Sequence, residues 1–119
     1  MTQKKYQILM YEYNAEIIDV YDGDTMTFLV DLGFSITVKE KLRLAGINTP
    51  EVRGPEKEDG YKVRDYVKKL IFGKKVKIRV YKKGKFGRYI AEVILSDGTN
   101  LTKHLLEKNM GKEFMKNEY

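Results

Sequence analysis

The sequence predicts a small, mainly β domain of the α+β class, with five strands, a helix between the third and fourth, and a helix at the end. Two observations carry this. The spacing of apolar residues changes from a period of two to a period of 3.6 and back, in the order strand, strand, strand, helix, strand, strand, helix. Length sets the scale: 119 residues, 42% of them hydrophobic, build one compact core and a single domain. That order fits a five-stranded Greek-key barrel of the OB type, one of several small architectures that the pattern alone allows.

The elements follow along the chain. Ala15, Ile17 and Asp19 alternate with Glu16, Ile18 and Val20, up to an Asp22-Gly23 turn. Met26, Phe28 and Val30 alternate with Thr27, Leu29 and Asp31, and Gly33 closes a hairpin. Ile36, Val38, Leu42 and Leu44 make a third strand with Arg43 on the face opposite the two leucines. Residues 48–60 hold both prolines, two glycines and several acids, and read as a loop. Val63, Val67, Leu70 and Ile71 then fall on one helical stripe, with Gly73 as the stop. Val76, Ile78 and Val80 alternate with basic residues in a fourth strand, and a turn around Gly84 leads to a fifth over Arg88–Leu95. Asn100–Met110, with Leu101 and Leu105 inward, completes the chain as a helix ending at Gly111.

Composition narrows function less than fold. A net charge of +6 favours a polyanionic partner, although charged residues are 34% of the chain and mixed in sign. The absence of cysteine excludes disulfides, thiolate zinc sites and a cysteine nucleophile. Ile8-Leu9-Met10 is too short for a secretory core, and no run approaches a membrane span. A cytoplasmic, non-membrane, monomeric protein is expected, or a secreted one if a leader has been removed.

Four segments can carry chemistry. Asp22-Gly23-Asp24-Thr25 is ordinary turn chemistry, but it also projects Asp24 as a hard oxygen ligand. In Asn48-Thr49-Pro50-Glu51, the proline biases Thr49 toward an extended conformation and fixes its carbonyl direction, while Glu51 has the chemistry of a base for water. Residues 73–88 carry eight basic side chains, among them Lys75, Lys77 and Lys85, and no acid. Such a run is usually a solvated strand face; Tyr81 and Phe86 add the aromatic surface that single-strand binding uses. Arg88 after Gly87 offers the planar fork that grips phosphate. His104 has no second ligand at metal spacing and reads as a boundary residue.

Together these segments resemble the staphylococcal nuclease family, from about residue 17 to residue 111. Arg43 lies eight positions before Glu51, and Phe86-Gly87-Arg88 looks like the family's second arginine segment. The resemblance makes the OB barrel the favoured architecture. It implies a calcium-dependent endonuclease that hydrolyses DNA and RNA, preferentially single-stranded. On it, Arg43, Glu51 and Arg88 are catalytic, Asp24, Asn48 and Thr49 hold Ca²⁺, and Lys75, Lys77, Lys85 and Phe86 contact the nucleic acid. Asn48 stands where the family usually has aspartate. The other reading is a weakly active or inactive module of the same fold that binds single-stranded nucleic acid or a protein.

Overall fold

The computed structural model describes residues 11–83 and 87–114. Its main feature is a closed five-stranded barrel. In chain order the elements are β1 (Tyr11–Asp22), β2 (Thr25–Gly33), β3 (Ile36–Leu44), β4 (Ile47–Asn48), a 3-10 turn (Gly54–Glu56) and α1 (Lys57–Ile71). Then come β5 (Lys75–Lys83), β6 (Tyr89–Ile94), α2 (Leu101–Glu107) and β7 (Lys112–Glu113). The barrel order is β1-β2-β3-β6-β5, closed by β5 against β1. All pairings in it are antiparallel except β3 with β6. This is the predicted OB architecture.

Period-two patterning explains the interior. Met26, Phe28 and Val30 of β2 and Leu42 and Leu44 of β3 are buried, as are Val76 and Ile78 of β5 and Ala91 and Val93 of β6. In β1 the simple alternation fails after Ile17. It would put Asp19 inward, but a register shift between Ile17 and Asp19 reverses the faces, so Val20 is buried and Asp19 exposed. A second shift between Val20 and Asp22 bends the strand's end into the Asp22–Asp24 turn.

Helix α1 begins at Lys57, earlier than the sequence pattern suggests. Glu58 and Asp59 therefore lie in its first turn, where they complement the helix dipole, rather than in a preceding loop. Val63, Val67 and Ile71 are buried against the barrel. Gly60 lets the helix press onto the loop that carries Glu51: a Cβ there would collide with the Glu51 carbonyl. Helix α2 starts at Asn100, whose side chain caps the Lys103 amide at 3.2 Å. It ends at Glu107, not Met110, because Asn109 turns left-handed at φ 57°. His104 sits between the helices, 2.6 Å from the Tyr66 hydroxyl, with the two rings stacked.

Strands β4 and β7 were not expected. They pair antiparallel, Ile47 with Glu113 and Asn48 with Lys112. The Phe114 amide donates to the Gly46 carbonyl at 3.0 Å. Gly111 makes this return possible, since a Cβ there would meet the Ile47 side chain at 2.8 Å and the Asn48 carbonyl at 3.0 Å. Among the described residues, no helix is long and apolar enough to cross a membrane.

Candidate active site

The site is built at the β1–β2 turn, where the ends of β1, β3 and β4 meet. Asp22 and Asp24 are 7% and 6% exposed, so two carboxylates are buried two residues apart. The Asp24 amide donates to Asp22 Oδ1 at 3.2 Å. Asp24 itself is held from three sides. Thr25 Oγ1 donates to its Oδ1 at 3.2 Å, the Thr49 amide donates to its Oδ2 at 2.9 Å, and Arg43 Nη1 lies 3.0 Å from the same Oδ2. Arg43 Nη2 donates to Asn48 Oδ1 at 3.3 Å. One guanidinium thus bridges Asp24 and Asn48 through its two terminal nitrogens, a use of the planar fork.

Burial raises the pKa of Asp22 to about 7, helped by its hydrogen bond to the Asp24 side chain and by that residue's charge. The sign for stability follows. Its folded-state value lies above the ordinary value of 3.8, so the folded protein holds the extra proton, and stability falls as pH rises from about 4 to about 7. Thermal melts in chelator at pH 4.5 and 7.5 check this. Asp22→Asn is expected to abolish most of that fall and to melt above the parent at pH 7.5. An unchanged pH slope in the variant would contradict the assignment.

Two buried carboxylates repelling each other form an electrostatic arrangement that a cation relieves. The Thr49 hydroxyl is buried and packs on Gly23 inside the turn, with no hydrogen-bond partner among the described residues. With the Asn48 amide oxygen, the donors are all oxygen, which suits a hard cation such as Ca²⁺ or Mg²⁺. Among the described residues there is no cluster of three His, Cys, Asp or Glu side chains.

The remaining predicted residues are placed less tightly. Glu51 is exposed on the loop after Thr49, and its amide donates to Glu56 Oε1 at 3.3 Å. Arg88 is half-buried just before β6. The register sets Leu42 beside Tyr89 and Arg43 beside Ile90, which brings the start of β6 alongside the end of β3. Lys75 and Lys77 are exposed on β5 but pair with Glu16 and Asn14, along β1 from the turn. The acid-free run is not acid-free in space. Arg79 Nε lies 2.8 Å from Glu12 and its Nη1 3.7 Å from Glu92. Lys85 and Phe86 lie outside the described residues.

Sequence reasoning missed three groups. Asp22 was seen only as a turn former, although an acid on each side of a glycine was the available signal. Phe114 places its ring 4.9 Å from the Arg43 guanidinium carbon, carried there by β7. Arg53 donates to the Tyr21 hydroxyl at 3.1 and 2.8 Å. Neither of the last two contacts has a local signature in the sequence.

Comparison with known proteins gives the family. The family model described as "Staphylococcal nuclease homologue" matches residues 41–118. A protein of Escherichia coli O157:H7 named "Uncharacterized endonuclease" is 27% identical over 83% of this chain and 60% of its own length. "Uncharacterized protein MJ1439" of Methanocaldococcus jannaschii is 28% identical over 90% of this chain and 58% of its own. "Probable staphylococcal-like nuclease CAN3" of Oryza sativa subsp. japonica is 42% identical over 46% of this chain and 14% of its own. The chain thus spans about 60% of the length of the first two relatives. A match over residues 41–118 takes in Arg43, the Asn48–Glu51 loop and both helices, and it shows that the chain belongs to the staphylococcal nuclease family.

Proposed function

We propose that this protein is a nuclease, a metal-assisted phosphodiesterase acting on DNA and RNA. The observation that carries this is the Arg43 fork spanning Asp24 and Asn48, beside the buried Asp22–Asp24 pair. The names of the endonuclease and staphylococcal-like nuclease relatives support it. A calcium ion held by Asp24, Asn48 and Thr49 would supply positive charge to a phosphate oxygen. Glu51, exposed beside the site, accepts a proton from the attacking water. Arg43 and Arg88 stabilise charge on the equatorial oxygens of the transition state. Lys75 and Lys77, with Lys85 and Phe86, add sequence-independent grip on the strand. A cytoplasmic monomer with a preference for single strands completes the proposal. The test is to digest an end-labelled single-stranded oligonucleotide and identify the new termini. Products with the phosphate on the 3′ side are expected; uncut DNA would reject the proposal.

The neutral Asn48 favours a second reading, a binding module with weak or no activity. Asn48→Asp separates the two. It adds a negative charge beside the site, but Arg43 Nη2, 3.3 Å from that position, would claim part of it. A net gain of about 1–2 kcal/mol is expected, or roughly five- to thirtyfold tighter calcium binding by calorimetry. Equal affinity in parent and variant would place residue 48 outside the metal site and favour the module.

A further inference from the structure

Tyr21, the residue before Asp22, gathers cations from two separate parts of the chain. Arg53, on the loop after Glu51, donates to its hydroxyl through Nε and Nη2 at 3.1 and 2.8 Å. Lys41 of β3 brings its Nζ within 4.9 Å of the ring centroid. Both cations are exposed, while the tyrosine is half-buried. The two charges converge on one side chain, and among the described residues neither forms an ion pair with a carboxylate. Glu51 acts on Arg53 through its charge, and the hydrogen bond to Tyr21 is the larger influence on that guanidinium.

Like charges drawn together repel, and an anion arriving between them gains from both. Tyr21 fixes where they stand. The hydroxyl takes up one edge of the Arg53 fork, using Nε and Nη2 and leaving Nη1 outside that bond. Lys41 also lies two residues before Arg43 on the same strand, hence on the same face. Through Tyr21, the residue before Asp22, both cations stand next to the turn that carries Asp22 and Asp24. The contrast with β5 is electrostatic: there Arg79 is neutralised by Glu12 and Glu92, and Lys75 faces Glu16.

We propose that Lys41, Tyr21 and Arg53 form a phosphate-binding subsite that holds a backbone phosphate of the nucleic-acid strand next to the one at the catalytic turn. This rests on the reading of that turn as a nucleic-acid site. It assigns the principal phosphate grip to this rim rather than to β5.

The test uses Glu51→Gln protein, with calcium present, binding a labelled single-stranded oligonucleotide by fluorescence anisotropy across a salt series. Lys41→Ala and Arg53→Ala in that background should each weaken binding about three- to tenfold and flatten the slope of log affinity against log salt by about 0.7. Tyr21→Phe keeps the ring and removes the hydroxyl, so it should reproduce part of the Arg53 loss only. Lys75→Ala and Lys77→Ala should change the slope less. An unchanged slope in both Lys41→Ala and Arg53→Ala overturns the subsite, as does a larger effect at Lys75 or Lys77. Cleavage by the otherwise unaltered protein is measured separately. If that protein cuts DNA while the rim variants bind unchanged, only the subsite falls. If it cuts nothing while the rim variants lose affinity as stated, the nuclease reading falls and the subsite stands.

Discussion

Glu51→Gln should lower turnover by roughly 10²–10⁴, the usual cost of losing a general base, while DNA affinity stays within a few-fold. The substitution is close to isosteric and the side chain is exposed, so the fold has little to lose. The loop is fixed by its backbone: the Glu51 amide bonds to Glu56, and α1 presses on it at Gly60. Those restraints survive in the variant. Single-turnover kinetics with excess enzyme isolate the chemical step. A variant that cuts as fast as the parent would make Glu51 an ordinary loop residue.

Arg43→Lys should cost about 10²–10³ in turnover, the range for removing a preorganised charge donor at a transition state. The charge is kept, but the fork is lost. A single ammonium would have to reach from one nitrogen the Asp24 carboxylate and the Asn48 amide oxygen, which two guanidinium nitrogens now share at 3.0 and 3.3 Å. The contact with the Phe114 ring would also weaken, since lysine presents a point charge and no flat surface. Some of the loss should therefore appear as reduced stability, which a thermal melt separates from the kinetic effect. Arg88→Lys should cost a similar factor in turnover with less effect on stability, as Arg88 is not part of this buried cluster. Near-parental turnover in either variant would contradict the bidentate role.

What the sequence made readable follows from how local each signal is. The barrel strands were readable because inward side chains recur every second residue, and α1 because Val63, Val67 and Ile71 fall on one stripe. The Asn48–Glu51 loop and the Asp22–Asp24 turn announced themselves through proline and glycine chemistry. The bulge at Ile17 was hidden because Ile18 is apolar too, so the run reads as one unbroken alternation, and only the pairing with β2 shows the faces reversing. Strands β4 and β7 are two residues each and carry no period at all. The acids that offset the basic β5 strand come from β1 and β6, far away in sequence. The Tyr21–Arg53 and Arg43–Phe114 contacts join residues brought together only when the barrel closes.

If the buried acidic turn and the Arg43 fork form a metal-assisted phosphodiesterase site, cleavage must depend on the metal. The most direct measurement is cleavage of single-stranded DNA by the purified protein, first with calcium, then with chelator, then with calcium restored. Cleavage with calcium, its loss in chelator and its recovery on restoration are expected. Cleavage that persists unchanged in chelator would contradict the metal's part in the site, and no cleavage at any calcium concentration would contradict the site's chemistry altogether.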